Sequence, residues 1–265
     1  MKQGRVLVIA GSDSGGGAGI QADIKAITMT GGFAMTAVTA ITAQNTMGVF
    51  DVHPIPLQTI IKQIECVTFD IGVDVVKTGM LGSVEVVEAV AETLTSACPN
   101  IPYIIDPVMI AKGGHPLLEK AAIKAVRDLL VPKAFLLTPN TPEAEALTEI
   151  RIENLDGQRR AAEALLKRGA NAVLIKGGHL DGDVITDLLA TVDGEEFFHS
   201  KRIESTSTHG TGCTLASAIA SYLAQGDELA VAVTKAREYV LKAIETAKNY
   251  GKGHGPLNHG WVLGA

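Results

Sequence analysis

The sequence predicts an α/β protein whose mainly parallel sheet is covered by helices on both faces. Three observations carry that expectation. Apolar runs of strand length alternate with amphipathic stretches of helix length through the first two-thirds of the chain, the order that builds parallel β-α units. Hydrophobic residues make up 46% of the chain and aromatics only 4%, so the core must be built from Ala, Val, Ile and Leu, as suits a sheet buried on both faces. No Pro/Ser-rich linker or charge block divides the 265 residues, which favours one domain over 1–265.

In chain order, strands are expected at 5–10, 34–42, 73–77, 103–106, 134–138 and 172–176. Helical periodicity fills 19–30, 57–71, 84–97, 117–130 and 155–168. Residues 184–203 change character, and Asp193-Gly194 between two alternating runs signals a hairpin. Two long helices follow at 211–224 and 228–249, then the glycine-rich tail GKGHGPLNHGWVLGA.

Several function classes lose support at once. Net charge is −6 with no basic run, so nucleic-acid binding is not expected. No apolar run reaches the roughly 18 residues that would span a bilayer. The N-terminal apolar stretch, Val6 to Ala10, is too short for a signal peptide, and a soluble, cytosolic protein is expected. Cys66, Cys98 and Cys213 are far apart and include no C-x-x-C pair, against both a disulfide framework and zinc. His115, His179 and His209 lack metal-ligand spacing.

Ligands in such a sheet bind beyond the carboxyl ends of the strands, so the strand ends are read in turn. The first is GSDSGGGAG, Gly11 to Gly19. It has no lysine for a Walker A loop and the wrong spacing for a dinucleotide loop, which leaves a substrate loop whose glycines permit close backbone approach. Asp23, one turn into the next helix, either points back at that ligand or is solvated. Gln44 either ties down its loop or offers one donor and one acceptor to the N–C–NH₂ edge of an aminopyrimidine. At PNTPEAEAL, the plain reading has Thr141 capping a helix and Glu143 complementing its dipole. The functional reading has Asn140 and Glu143 holding water around Mg²⁺. Lys176 ends an apolar strand and either snorkels or reaches phosphate oxygens. Asp106 sits at another strand end, near where metal or phosphate would bind. The stretch 110–116 is expected to be a mobile loop hinged at Gly113-Gly114.

The most unusual stretch is STSTHGTGCTLASAIASYL, residues 205–223. A glycine-flanked helix N-terminus favours anions, and a thiol there is expected to ionise more readily than its usual value of about 8.5 allows. Cys213 is then a covalent nucleophile, a proton acceptor beside bound phosphate, or a small residue filling a tight turn.

Taken together and in order, GSDSGGGAGIQAD, TAQNT, KTGML, DPVM, TPN-x-x-E, IKGGH and THGTGC closely resemble the hydroxymethylpyrimidine/phosphomethylpyrimidine kinases of thiamine biosynthesis, within the ribokinase-like group. The resemblance covers nearly the whole chain. It departs at Ser207, where Asn is the commoner residue, and at AKGGHP in the 110–116 loop. It implies a ribokinase-like three-layer sandwich, with ATP and Mg²⁺ as cofactors. It also implies phosphorylation of a small pyrimidine, 4-amino-5-hydroxymethyl-2-methylpyrimidine, and then of its monophosphate. By matching position, Gln44 binds the pyrimidine, and Gly11, Asp23, Met80 and Val108 belong to its pocket. Asn140, Glu143, Lys176 and Asp106 serve the nucleotide and metal. Gly210, Thr211 and Gly212 form the anion hole, and Cys213 is the base. A homodimer is expected. Pyridoxine or pyridoxal phosphorylation is the neighbouring alternative.

Overall fold

The computed structural model describes residues 3–110, 114, 115 and 117–264. The first unit is β1 (Arg5–Asp13), α1 (Gly19–Met29) and β2 (Phe33–Asn45), followed by the edge strand β3 (Gly48–Pro54). Next come α2 (Leu57–Asp70), β4 (Val75–Thr78), α3 (Val84–Ala97) and β5 (Tyr103–Ile105). Then α4 (Lys120–Ala125) runs through a π turn, Val126–Leu130, into β6 (Leu136–Leu137), α5 (Thr141–Thr148) and α6 (Leu155–Lys167). The last elements are β7 (Ala172–Ile175), the hairpin β8 (Val184–Thr191) and β9 (Gly194–Lys201), and α7 (Thr211–Ala224) and α8 (Leu229–Glu245).

The strands form one sheet in the order β3-β2-β1-β4-β5-β6-β7-β8-β9. β2, β1, β4, β5, β6 and β7 are mutually parallel, while β3, β8 and β9 run antiparallel at the two edges. Alternation along β1 separates the two apolar layers. Leu7 and Ile9 pack with residues of α2, α3, α4, α5 and α6, whereas Val6, Val8 and Ala10 pack with α1, α7 and α8. Both faces of the central strands are therefore dry, which is why those segments read as unbroken apolar runs. This is the expected three-layer α/β arrangement.

The sequence-based boundaries differ in informative ways. β3 was not expected: GVFDVHP has exposed Phe50 and Asp51, and its pairing to β2 supplies a pattern that its composition hides. The helix expected at 117–130 starts at Lys120 and ends in the π turn. The helices at 84–97 and 211–224 match residue for residue. The first begins at Ser83, whose hydroxyl accepts from the Val86 N–H, a cap of the kind that marks helix starts. The 110–116 loop, where the AKGGHP departure lies, falls largely outside the described residues.

Strand order reverses at β1, whose two parallel neighbours are β2 and β4. Such a reversal opens a crevice at the carboxyl ends of the strands. The β1–β2 register also slips between Ala10 and Ser12, a bulge beside Gly11 of the kind that re-aims backbone next to sites.

The short strand β6 depends on side-chain burial more than on ladder bonds, since Leu136 and Leu137 are both fully enclosed, one in each layer. Leu137→Ala is expected to cost about 2–5 kcal/mol in unfolding free energy, read by urea denaturation. A loss under about 1 kcal/mol would show that β6 is not a packing centre.

Candidate active site

The N-terminus of α7 lies at the crevice, and tight backbone contacts place it there. Gly210 caps the helix at φ 81°, and a Cβ there would run into the Gly17 carbonyl. Gly19, at φ 54°, similarly lies against the Gly11 carbonyl. The loop after β1 and the turn before α7 thus meet backbone to backbone, an approach only glycine permits. Next along, a Cβ on Gly212 would stand 3.4 Å from Lys176 Nζ. The ammonium therefore lies beside the first turn of α7 at Gly212 and Cys213, a corner whose chemistry suits an anion.

Lys176 is held from below. Its N–H donates to the Pro139 carbonyl at 3.0 Å, and the following Gly177 N–H donates to Asp187 Oδ1 at 2.7 Å. Its ammonium donates to Asp106 Oδ1 at 3.2 Å and lies 4.0 Å from Glu143 Oε2. Thr138 Oγ1 donates to the same Asp106 oxygen at 3.0 Å. Burial opposes the lysine's charge, but Asp106 and Glu143 raise its pKa above the ordinary value. Glu143 is itself pushed up to about 7 by burial, against the pull of Lys176.

Asn140 and Glu143 form a reciprocal capping box: Glu143 N–H donates to Asn140 Oδ1 at 2.9 Å and Asn140 N–H to Glu143 Oε2 at 2.8 Å. The cap is Asn140, not the expected Thr141, which is the first residue of α5. Among the described residues no group of three His, Cys, Asp or Glu side chains is arranged to hold a metal. Glu143 is already engaged by Asn140, Met109 and Lys176. The donors are hard oxygens, so the set fits Mg²⁺ reached through water with phosphates completing its shell, not a direct protein cage.

Of the residues expected at the substrate, Gly11 abuts Met80: a Cβ on the glycine would lie 3.0 Å from the Met80 sulfur. Val108 follows Asp106 two residues on, and its N–H donates to the Asp106 carbonyl at 2.9 Å. Gln44 is half-buried at the end of β2, with its backbone N–H bound to Ser14 Oγ at 2.8 Å. Ser207 is fully enclosed and donates to Asn249 Oδ1 at 3.0 Å, so the departure from Asn sits behind the α7 turn and ties it to the chain after α8.

Two sequence expectations need correction. Asp23 does not point into the crevice: it is fully enclosed and pairs with Lys77 at 2.9 Å, both side chains having no exposure. Ser217, one turn beyond Cys213 on α7, donates to the same Asp23 oxygen at 2.6 Å. The second correction concerns Cys213. Burial outweighs the helix N-terminus and pushes the thiol up to about 11, although Lys77 and the Gly19 N–H draw it down. Lys77, within the quoted KTGML, carries no assigned role in the sequence, because nothing local shows that its charge pairs with a residue 54 positions away.

Comparison with known proteins adds the family. Residues 13–258 match the phosphomethylpyrimidine kinase family. A Haemophilus influenzae hydroxymethylpyrimidine/phosphomethylpyrimidine kinase is 49% identical over 259 residues, covering 96% of each chain. A Geobacter sulfurreducens thiamine biosynthesis bifunctional protein is 50% identical over 259 residues, 97% of this chain. The chain spans about half, 52%, of that relative's length. Among solved structures, an ADP complex of Bacillus subtilis pyridoxal kinase superposes with a TM-score of 0.90 at 36% identity, covering 97% of this chain and 98% of that one.

Because Lys77 and Asp23 share one dry enclosure, Lys77→Met alone is expected to cost about 3–5 kcal/mol by stranding a buried carboxylate. Adding Asp23→Asn should recover most of the loss. Urea unfolding of the two single variants and the double reads this, and additive losses would show that the pair is uncoupled.

Proposed function

We propose, from the premise that this chain belongs to the phosphomethylpyrimidine kinase family, that it phosphorylates 4-amino-5-hydroxymethyl-2-methylpyrimidine and then the monophosphate, using ATP, in thiamine biosynthesis. The observation that carries this reading is the convergence of Lys176 and the Gly210–Thr211–Gly212 turn on one anion corner, with Cys213 beside it. Phosphoryl transfer asks mainly for positioning and charge stabilisation, and that corner offers both.

In this reading Gln44, Gly11, Met80 and Val108 surround the ring, while Lys176 and the α7 N–H groups hold the transferring phosphate. Asp106, Asn140 and Glu143 orient water around Mg²⁺, which supplies charge neutralisation to the nucleotide phosphates when bound. Asp23 contributes from behind by holding Lys77 under the thiol. Cys213 accepts the hydroxymethyl proton in the first step, whereas the second step attacks through a phosphate oxygen and needs no base. The likeness to a pyridoxal kinase keeps that ring as a second substrate, and a coupled assay with both rings separates the readings.

We also read the chain as a homodimer joined at the β2–β3 edge, where Ile41, Met47 and Phe50 are exposed. Sedimentation as a monomer at micromolar concentration would count against it.

Cys213→Ala is expected to slow the first phosphorylation by about 10²–10⁴-fold and the second far less. A thiol with a pKa of about 11 is protonated below that value, so its thiolate fraction grows about tenfold per pH unit between 7 and 9. The first step should accelerate over that range in the unmodified enzyme and lose the acceleration in the variant. Following mono- and diphosphate separately reads both effects, and equal losses in the two steps would remove the base role.

A further inference from the structure

His209 takes no part in the chemistry just described, yet it is buried at the substrate end of the crevice. Its Nε2 lies 2.9 Å from Asp13 Oδ2 and 3.2 Å from the terminal amide of Gln44. The Asp13 carboxylate also accepts the N–H groups of Gly15 at 2.7 Å, Gly17 at 3.0 Å and Ala18 at 2.8 Å. Burial works against its charge, but His209 and the Ala18 and Gly15 amides hold its acid below the ordinary carboxylate range. An ionised carboxylate only accepts hydrogen bonds. His209 Nε2 must therefore carry a proton and donate it, and it cannot also accept one from Gln44.

The two ends of a carboxamide are nearly equal in shape, so the surrounding network decides which is which. The structure places the Gln44 nitrogen toward His209 and its oxygen toward Thr42 Oγ1, but facing a donor at Nε2 the amide belongs in the opposite sense, with its oxygen toward His209. The other end of the amide then lies 3.2 Å from Thr42 Oγ1. That hydroxyl already donates to the Ser12 carbonyl at 2.9 Å, leaving its lone pairs to accept a Gln44 N–H. Every donor in the chain Asp13–His209–Gln44–Thr42–Ser12 then meets an acceptor.

We infer that Asp13 and His209 are positioning residues that fix the polarity of the Gln44 amide, with its acceptor on the His209 side and its donor on the Thr42 side. This rests on the aminopyrimidine kinase reading. One N–H and one oxygen lone pair of Gln44 remain for the ring. That ordered pair accepts from an exocyclic amine and donates to the adjacent ring nitrogen. A 4-oxo ring carries the reverse pattern, N–H beside C=O, and meets donor against donor. Turning the amide would accommodate the oxo ring, but then the Gln44 N–H would face the His209 N–H. The histidine thus rejects the wrong tautomeric class by forbidding the rotation.

The test compares phosphorylation of the 4-amino ring with that of its 4-oxo counterpart. In the unmodified enzyme the amino ring is expected to be favoured by on the order of 10³-fold or more in kcat/KM. His209→Ala should shrink that ratio at least about tenfold, with the amino ring's loss mainly in KM. An unchanged ratio overturns the inference. A second measurement needs no variant and no turnover: long-range ¹H–¹⁵N spectra of the histidine-labelled protein are expected to show a proton on His209 Nε2, and a bare Nε2 overturns the inference. Turnover of neither ring would remove the kinase reading, while the spectrum still decides the histidine's role.

Discussion

An ammonium without contact to water stands between the sheet and the helices that cover it, and the crevice is organised around that charge. Lys77 reaches Asp23 on α1, Asp23 receives Ser217 from α7, and Gly79 leaves room beside the ammonium, since a Cβ there would lie 3.1 Å from Lys77 Nζ. Strand β4 and helices α1 and α7 are thereby fixed at one point. A buried ion pair is weak evidence for stability in itself, since a well-packed apolar trio often does as well. Its position is more telling. It lies behind the α7 terminus, where its field acts on the Cys213 thiol, and among the described residues one Asp23 oxygen has no hydrogen-bond partner, a cost that packing alone would not favour.

The rest of the site follows from balancing charge in a dry place. Lys176 faces Asp106 and Glu143, so before any anion arrives the ammonium is already compensated. In the proposed reading, a phosphate entering the corner would compete with those carboxylates for Lys176. In the same kinase reading, Asp106, Asn140 and Glu143 would hold Mg²⁺ through water, and its charge would compensate the carboxylates. The two carboxylates thus keep Lys176 from being an isolated buried charge. The raised Glu143 fits a carboxyl group held in too dry a place to ionise freely.

Much of this was legible in residue order, and the reasons are local. Helix α7 announces itself through Gly210 and the apolar run after Cys213, and the β8–β9 hairpin through its Asp193-Gly194 turn. β3 was hidden because an edge strand with one solvated side has no apolar run. The Asn140–Glu143 capping box was visible as a spacing, though the cap proved to be one residue earlier than expected. What sequence could not carry is contact between distant residues. Asp23 and Lys77 are 54 positions apart, and Asp13 and His209 are 196 apart. Each alone reads as a loop or surface residue. The thiol was misread for a related reason: a helix N-terminus can be recognised from sequence, but the depth of burial that opposes it cannot.

The glycine-rich tail, featureless as sequence, packs between the end of β2 and the turn before α7. The His254 N–H donates to the Thr46 carbonyl at 2.8 Å, the Gly255 N–H to Thr206 at 3.0 Å, and the His209 N–H to Gly255 at 3.0 Å. A Cβ on Gly251 or Gly253 would collide with Thr46, and one on Gly255 would approach Ser207 Oγ within 2.8 Å. The tail thus joins the end of β2, where Gln44 sits, to the turn that carries His209, and it can do so because Gly251, Gly253 and Gly255 lack side chains. In the proposed reading, recognition of the ring and the start of α7 are tied by the same few backbone bonds. Without them the turn that carries the imidazole would be untied from the end of β2, and the 3.2 Å contact between His209 and Gln44 would not hold as the proposed constraint on polarity.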